Sequence, residues 1–254
     1  MKALRVVGMG PGGPDQLTVE AVTALREVDV FLVPVKDGVD GGGTDDLVAL
    51  RRAILDRHTD GAARVVEVPD PPRDRSEGST ADTEAYERVV HDWHDARAQA
   101  FEEAVDAHVP EDGVAGLLVW GDPALYDSTL RVIALMQTPV EVTVIPGITA
   151  PQTLAAAHAV TWNRIGGPVH VTTGRRLREE GMTASDVLVM LDSQNSFLTL
   201  DPAIEIYWGA YLGTPDEILL SGTVGSVGSQ IEKVRAEARA EHGWIMDTYL
   251  LRQP

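Results

Sequence analysis

The 254-residue chain contains no cysteine. This absence excludes disulfides, thiolate nucleophiles and cysteine-ligated zinc. Lysine is scarce as well, with Lys2, Lys36 and Lys233 only, and no cluster of basic residues offsets a formal net charge of −18. Such a charge repels polyanions, so nucleic acid is not an expected partner.

Long apolar runs are also missing. The longest run, VAGLLVWG (114–121), is far shorter than the roughly 20 residues that cross a bilayer. The first residues run directly into a strand-like pattern, without the charged and apolar segments of a signal peptide. We therefore expect a cytoplasmic protein without a membrane partner. With 44% hydrophobic residues, the chain can still bury one large or two modest cores.

Strands and helices alternate in the first two thirds of the chain, which predicts a parallel sheet with helices on both faces. The strand-like runs there are 3–9, 29–35, 63–69, 114–120 and 140–146. Later runs have fewer helices between them and predict a mixed sheet; they are 169–173, 186–192, 204–213, 217–222 and 243–251. The sequence therefore predicts two α/β domains, 1–162 and 163–254.

The segment GMGPGGPDQLT (8–18) follows the first strand, and Gly8, Gly10 and Gly13 match the G-x-G-x-x-G pattern of dinucleotide-binding loops. A dinucleotide is disfavoured because the loop is long and proline-rich, with a helix expected only from Thr18. Lys36 also follows the second strand, where such sites carry an acid. Two other interpretations are a purely structural turn and a backbone wall against which a ligand lies.

Histidines give weaker signals. His91 and His94 share one face of a predicted helix and could act as a base or as two metal ligands. No third ligand stands at a suitable spacing, so a solvated helix face is favoured and no metal is expected. His170, within an apolar strand, is interpreted as a core histidine. The motifs of serine hydrolases and of nucleoside triphosphatases are absent from the sequence.

Four ordered motifs resemble the tetrapyrrole methylase family, which uses S-adenosylmethionine; they are GMGPGGPDQLT, WGDPALYDS (120–128), VIPGITA (144–150) and VMLD (189–192). Further stretches, such as TWNRIGGPVHVTTGRR and YWGAYLGTPDEI, resemble its deacetylating members in aerobic cobalamin synthesis. The resemblance covers nearly the whole chain. It implies two α/β domains with the methyl donor in a cleft between them, and a homodimer.

The resemblance also implies which residues bind the methyl donor. Carried over by motif, they are Pro11, Trp120, Gly121, Asp122, Leu125, Thr149, Ala150, Met190, Leu191 and Gly213. Trp120 stands where many relatives have glycine. Asp122 could bind a donor hydroxyl or ammonium group, or it could cap the next helix. Met190 could lie against an adenine ring or fill core space.

The implied reaction methylates a precorrin at ring carbon one and releases its acetyl group as acetate. The alternative is a methylase of the same fold that acts on another precorrin position or another substrate. Deacylation needs a general base and a donor to the oxyanion. Asp127 and Tyr126 are the candidates for these roles, although Asp127 could instead favour the start of the following helix.

The tetrapyrrole substrate carries many carboxylates, which arginine forks suit. The candidate substrate-binding residues are Arg73, Arg75, Arg164, Arg175 and Arg176. For each arginine the alternative is an ordinary ion pair on the surface. Two further hypotheses stay open from the sequence, a nicotinamide oxidoreductase built on the glycine loop and a ligand-binding protein without catalytic activity.

Overall fold

The computed structural model describes residues 1–35, 43–61, 63–72 and 83–254, without the side chains of 43–47 and 83–86. The chain forms two compact units. The first comprises residues 1–10 and 14–147, and the second comprises 11–13 and 148–254. The sequence predicts two domains, 1–162 and 163–254, each of which supplies part of the methyl-donor site. This division stays a prediction.

The first unit contains a five-stranded, fully parallel sheet in the order β3-β2-β4-β1-β5. The strands are β1 (Ala3–Gly8), β2 (Val30–Val35), β3 (Val65–Pro69), β4 (Val114–Val119) and β5 (Glu141–Ile145). Because all five run in one direction, their carboxyl ends lie at one edge of the sheet. In open parallel sheets, ligands bind at this edge.

Helices cover both faces of this sheet, as predicted. They are α1 (Val19–Arg26), α2 (Gly43–His58), α3 (Thr83–His108) and α4 (Thr129–Ile133). Neighbouring strand residues point to opposite faces. Val6 accordingly packs in one buried cluster with Phe101 of α3, and Val7 packs in another with Leu25 of α1. The expected start of α1 is confirmed, since the hydroxyl of Thr18 accepts a hydrogen bond from the backbone N–H of α1.

The second unit contains a five-stranded sheet, which is mixed as predicted. Its strand order, β6-β7-β10-β8-β9, is not predicted from the sequence. Its strands are β6 (Val169–Thr173), β7 (Asp186–Met190), β8 (Glu205–Ala210), β9 (Ile218–Thr223) and β10 (Asp247–Arg252). Only β6 and β7 pair in parallel; the other pairs are antiparallel. The ends of β6, β7 and β8 and the start of β10 therefore share one edge, which we call the donor edge.

The helices of the second unit are α5 (Ala150–His158), α6 (Gly174–Glu180) and α7 (Val224–His242), with a 3₁₀ turn at Ser196–Thr199. The sequence patterns predict neither α6 nor α7. Two predicted strands are longer than the observed ones. The run 204–213 ends as a strand at Ala210, because Tyr211 has a left-handed φ of 49°. The run 243–251 begins as a strand at Asp247. Within the described residues, no helix combines the length and apolarity that spanning a membrane requires.

Candidate functional site

Three glycines, Gly8, Gly121 and Gly147, pack against one another at the carboxyl ends of β1, β4 and β5. A Cβ on Gly147 would lie 2.1 Å from the carbonyl oxygen of Gly121, and a Cβ on Gly8 would lie 2.5 Å from the backbone nitrogen of Gly147. Both distances are far inside van der Waals contact. Gly10, with φ 77°, exchanges two backbone hydrogen bonds with Gly121 at 3.2 and 2.8 Å. Close backbone packing thus accounts for the first two glycines of the G-x-G-x-x-G pattern.

Asp122 ties two loops of this edge together. One carboxylate oxygen accepts a hydrogen bond from the N–H of Ala124 at 2.8 Å, and the other accepts one from the N–H of Gly147 at 2.8 Å. The next helix begins only at Thr129, so Asp122 is not its cap. Each carboxylate oxygen has a second lone pair, which a hydroxyl or ammonium group of a ligand could use.

Tyr126 and Asp127, the two candidate catalytic residues, follow in the same loop. Tyr126 has a left-handed φ of 52° and a 43% exposed side chain. Backbone strain of this kind clusters at functional sites. Burial raises the pKa of Tyr126, so its phenol stays protonated and can donate. Asp127 accepts a hydrogen bond from the N–H of Thr129 at 2.6 Å, which is the helix-starting contact that the sequence analysis gives as the alternative role.

Three of the residues predicted to bind the methyl donor lie at the donor edge of the second unit. Met190 ends β7 and is half-buried. Leu191, which follows it, has a left-handed φ of 54° and is 65% exposed. Gly213 follows β8 with φ 76°, and its N–H donates to the carboxylate of Glu217 at 2.8 Å. An exposed leucine held in an unfavourable backbone conformation offers an apolar surface at a fixed position.

Comparisons with known proteins show the family to which this chain belongs. Residues 3–228 match the family model of the Tetrapyrrole (Corrin/Porphyrin) Methylases. A Sinorhizobium protein named Precorrin-6A synthase [deacetylating] is 44% identical over 260 residues, which cover 100% of this chain and 96% of that protein. The chain belongs to the tetrapyrrole methylase family.

Solved structures show the same relationship. A cobalamin synthesis related protein, CobF, from Corynebacterium diphtheriae is 37% identical, with a TM-score of 0.82 over 99% of this chain and 98% of that chain. Uroporphyrin-III C-methyl transferase from Thermus thermophilus, complexed with S-adenosyl homocysteine, shares the fold at a TM-score of 0.60 and 18% identity, covering 98% and 92% of the two chains. The family and the fold class predicted from the sequence are confirmed.

The predicted donor residues of this tetrapyrrole methylase divide between its two units. Trp120, Gly121, Asp122 and Leu125 belong to the first unit, and Pro11, Thr149, Ala150, Met190, Leu191 and Gly213 belong to the second. Thr149 caps α5 through a reciprocal pair of hydrogen bonds with Gln152, so its hydroxyl already has a structural role. Trp120 is half-buried and packs against the core of the first unit.

The candidate substrate arginines are not gathered in one place. Arg175 and Arg176 lie in the first turn of α6, at the donor edge, and both are exposed and near Glu179. Arg164 lies at the opposite edge of the second sheet, where its guanidinium donates to the carbonyl of Gln253 and its N–H to Asp186 at 3.4 Å. Arg73 and Arg75 lie outside the described residues.

Sequence reasoning missed a buried ion pair beside the Tyr126 loop. Nε of Arg97 lies 2.8 Å from Oδ1 of Asp70, and the side chains are only 13% and 9% exposed. The same guanidinium donates to the hydroxyl of Ser128 at 3.1 Å and stacks over the ring of Trp93 at 4.6 Å. Arg97 thus anchors the residue that follows Asp127. The one available signal was an arginine on a helix face otherwise occupied by apolar residues.

The histidines have ordinary surroundings. Nδ1 of His91 lies 3.0 Å from Asp95, and with Asp92 these exposed side chains place three potential ligand atoms within 4.8 Å of one another. His94, the second predicted ligand, is not part of this group, and neither aspartate was predicted as a ligand. Clusters of exposed acidic groups are common without a metal. His170 is half-buried and hydrogen-bonded to Thr183.

Proposed function

We propose that this chain is an S-adenosylmethionine-dependent C-methyltransferase that converts precorrin-5 to precorrin-6A, with methylation at ring carbon one and release of acetate. The observation that carries the proposal is the 44% identity, over the whole chain, to a protein named Precorrin-6A synthase [deacetylating]. The likeness to CobF at 37% identity supports it. Both alignments include the loop after β4 and the strand ends of the donor edge, where the candidate residues lie.

The methyl donor supplies an activated methyl group on a sulfonium. We propose that the residues assigned to it by the sequence motifs bind it. Asp122 offers free lone pairs to a ribose hydroxyl or an ammonium group. Leu191 offers an exposed apolar side chain to the adenine ring. Glycine at positions 121 and 213 lets a ligand approach the backbone closely. Because the leaving group is already good, methyl transfer needs positioning rather than a metal.

Acetate release needs chemistry from the chain itself. In the proposed reaction, water attacks the ketone carbonyl of the acetyl group, and Asp127 takes a proton from that water through the carboxylate oxygen that does not bond Thr129. The phenol of Tyr126 donates a hydrogen bond to the oxyanion. The carbon–carbon bond then breaks and acetate leaves. The electron pair remains on the ring carbon, where the macrocycle delocalises it until that carbon accepts the methyl group.

The acidic substrate must be held against a net charge of −18. We propose that Arg175 and Arg176 contact its carboxylates, since both are exposed at the donor edge. Their partners, Glu179 and Glu180, are exposed too, and surface pairs of this kind are weak enough to exchange for a substrate carboxylate. Arg73, Arg75 and Arg164 remain proposed substrate residues only because arginine suits the carboxylates of the substrate.

We further propose a cytoplasmic homodimer that binds neither nucleic acid nor membranes. The resemblance supports the dimer, and the acidic charge supports the lack of a nucleic-acid partner. Light scattering on the purified protein gives its mass directly. A mass near 55 kDa, about twice the 27.3 kDa of one chain, is expected, and a mass of one chain would contradict the dimer.

The function is tested by incubating the purified protein with precorrin-5 and S-adenosylmethionine. We expect acetate, S-adenosylhomocysteine and a singly methylated, deacetylated corrinoid in equal amounts, measured by mass spectrometry and enzymatic acetate assay. Methylation without acetate would select the alternative, a methylase for another substrate. Tyr126→Phe should slow acetate release strongly while leaving donor binding intact. No methyl transfer by a folded sample would contradict the proposal.

A further inference from the structure

Asp192 is the centre of a buried hydrogen-bond network directly behind the donor edge. Its side chain is shielded almost completely, and its carboxylate accepts bonds from the N–H of Gln194 (3.0 Å), from the N–H and hydroxyl of Ser196 (2.6 and 2.9 Å) and from the phenol of Tyr249 (2.6 Å). A Cβ on Gly174 would lie 2.3 Å from this carboxylate, so glycine there makes room for it.

In its hydrogen bond with Asp192, the phenol of Tyr249 is always the hydrogen-bond donor. It lies in the middle of β10 and is 1% exposed. Burial and the neighbouring charge of Asp192 hold the pKa of Tyr249 well above its ordinary value. Its ring also packs edge-on against Phe197 at 5.3 Å between centroids. Since the side chain is fully buried, it reaches a ligand only through its effect on Asp192.

Arg235 of α7 links Asp192 to the other strands of the same edge. Its guanidinium donates to the backbone carbonyl of Asp192 at 2.6 Å and to the carboxylate of Asp247 at 2.9 Å. The indole of Trp208 donates to the same carboxylate at 2.9 Å. Asp247 begins β10 opposite Ala210, the last residue of β8. One arginine thus joins the end of β7 to the start of β10.

The network lies next to two left-handed residues of this edge, Leu191 and Tyr211. Leu191 immediately precedes Asp192, and Tyr211 immediately follows Ala210. Neither residue favours a positive φ by itself, so the surroundings must hold it there. The backbone N–H of Tyr211 donates to the carbonyl of Met246, next to Asp247, which ties the second turn to the same network.

We propose that Asp192, Tyr249, Arg235 and Asp247, which we call the edge network, are positioning residues for binding of the methyl donor. They keep Leu191 and the turn at 211–213 in the conformation that the donor meets, without touching the donor themselves. The inference rests on the proposed function, because it assumes that Leu191 and Gly213 contact S-adenosylmethionine. It gives a role to Asp192 of the VMLD motif and to three residues outside the four motifs, none of which is among the predicted donor residues.

The test uses Tyr249→Phe, which removes one hydrogen bond to Asp192 and keeps the ring against Phe197. The matched control is Tyr207→Phe, which removes the 3.3 Å hydrogen bond from the phenol of Tyr207 to Glu205 at the start of β8, away from the donor edge. Binding of S-adenosylhomocysteine is measured by calorimetry well below the melting temperature of every variant. The KM for S-adenosylmethionine and kcat are measured in parallel.

For Tyr249→Phe we expect the dissociation constant and the KM for the donor to rise roughly ten-fold, with kcat nearly unchanged at saturating donor. Tyr207→Phe should leave both values as in the wild type. If Tyr249→Phe fails to fold, Ser196→Ala, which removes one hydroxyl donor from Asp192, replaces it with an expected rise of roughly three-fold.

Two outcomes overturn the inference in different ways. If Tyr249→Phe melts at a lower temperature but binds S-adenosylhomocysteine as tightly as the wild type, the edge network only stabilises the fold. If the folded wild type does not bind S-adenosylhomocysteine at all, the proposed function fails, and the positioning role fails with it. The first result leaves the proposed function standing, so the two failures are distinguishable.

Discussion

The two units fix the ends of their strands by opposite means. In the first unit, Gly8 and Gly147 lie directly against each other and against the carbonyl of Gly121, because neither has a side chain. In the second unit, the edge network fills the equivalent place with buried polar side chains that satisfy one another. Backbone packing leaves no room for an added atom, whereas a network can lose one bond and keep the others. We therefore expect a single substitution at the packed glycines to lower stability strongly. A single substitution in the edge network should lower it less, except where a buried charge loses its partner.

The largest loss of stability is expected from that exception. Arg235→Met leaves the carboxylate of Asp247 and the carbonyl of Asp192 buried without their cation, which typically costs about 3–5 kcal/mol. The free energy of unfolding, measured by urea denaturation, checks this. Lys233→Met on the same helix is the control, because its side chain is 74% exposed and its partner Glu237 is 3.8 Å away. A change in the control equal to that of Arg235→Met would contradict the account.

The next largest effect is expected from Gly147→Ala. The new methyl group would meet the carbonyl of Gly121 at 2.1 Å, so the loops after β4 and β5 must separate, at a cost of about 3 kcal/mol. Gly167→Ala is the control, since its Cβ would have an ordinary 3.5 Å contact with the carbonyl of Arg164. Thermal melting distinguishes them. If Gly147→Ala melts like the wild type, close glycine packing is not what closes this edge.

A smaller effect is expected from Asp122→Asn. An amide cannot accept from both Ala124 and Gly147, because its NH₂ group faces one of the two N–H donors. Stability should fall by about 1–2 kcal/mol, and affinity for S-adenosylhomocysteine should fall with it. Asp201→Asn, at an exposed carboxylate that bonds the N–H of Ala203 at 2.9 Å, is the control and should change neither quantity noticeably. Unchanged affinity in Asp122→Asn would remove Asp122 from the donor site.

The smallest effect is the contribution of Asp186 to the pH dependence of stability. Asp186 begins β7, at the end of the second sheet opposite the donor edge. Burial alone would raise the pKa of Asp186, but hydrogen bonds from Arg252, Arg164 and Ser185 outweigh it and lower that pKa. The unfolded chain therefore binds this proton more readily than the folded chain does. The stabilisation is complete above the ordinary carboxyl pKa of about 4 and is lost as the pH falls below it. Urea unfolding between about pH 5 and pH 3 should show a shallower decline in Asp186→Asn, and an equally steep decline would contradict the assignment.

The sequence predicts what depends on short segments. The cap at Thr18, the buried strands and the ordered motifs are all local, and the structure and the comparisons confirm the architecture and the family. The edge network could not be predicted, because Arg235, Asp192 and Asp247 meet only after the antiparallel register of β10 is set. The helix α7 was missed because its buried stripe includes Gly228 and Arg235 in place of apolar residues. The sequence also cannot decide whether Asp127 is a base or a helix-starting residue, because the two roles differ only in what the carboxylate contacts. The observed hydrogen bond from Thr129 shows the helix-starting role.

The most direct test is a calorimetric titration of S-adenosylhomocysteine into the wild-type protein. The account predicts saturable binding with one site per chain and a dissociation constant in the micromolar range or below. A folded sample that releases no binding heat at several temperatures would contradict it.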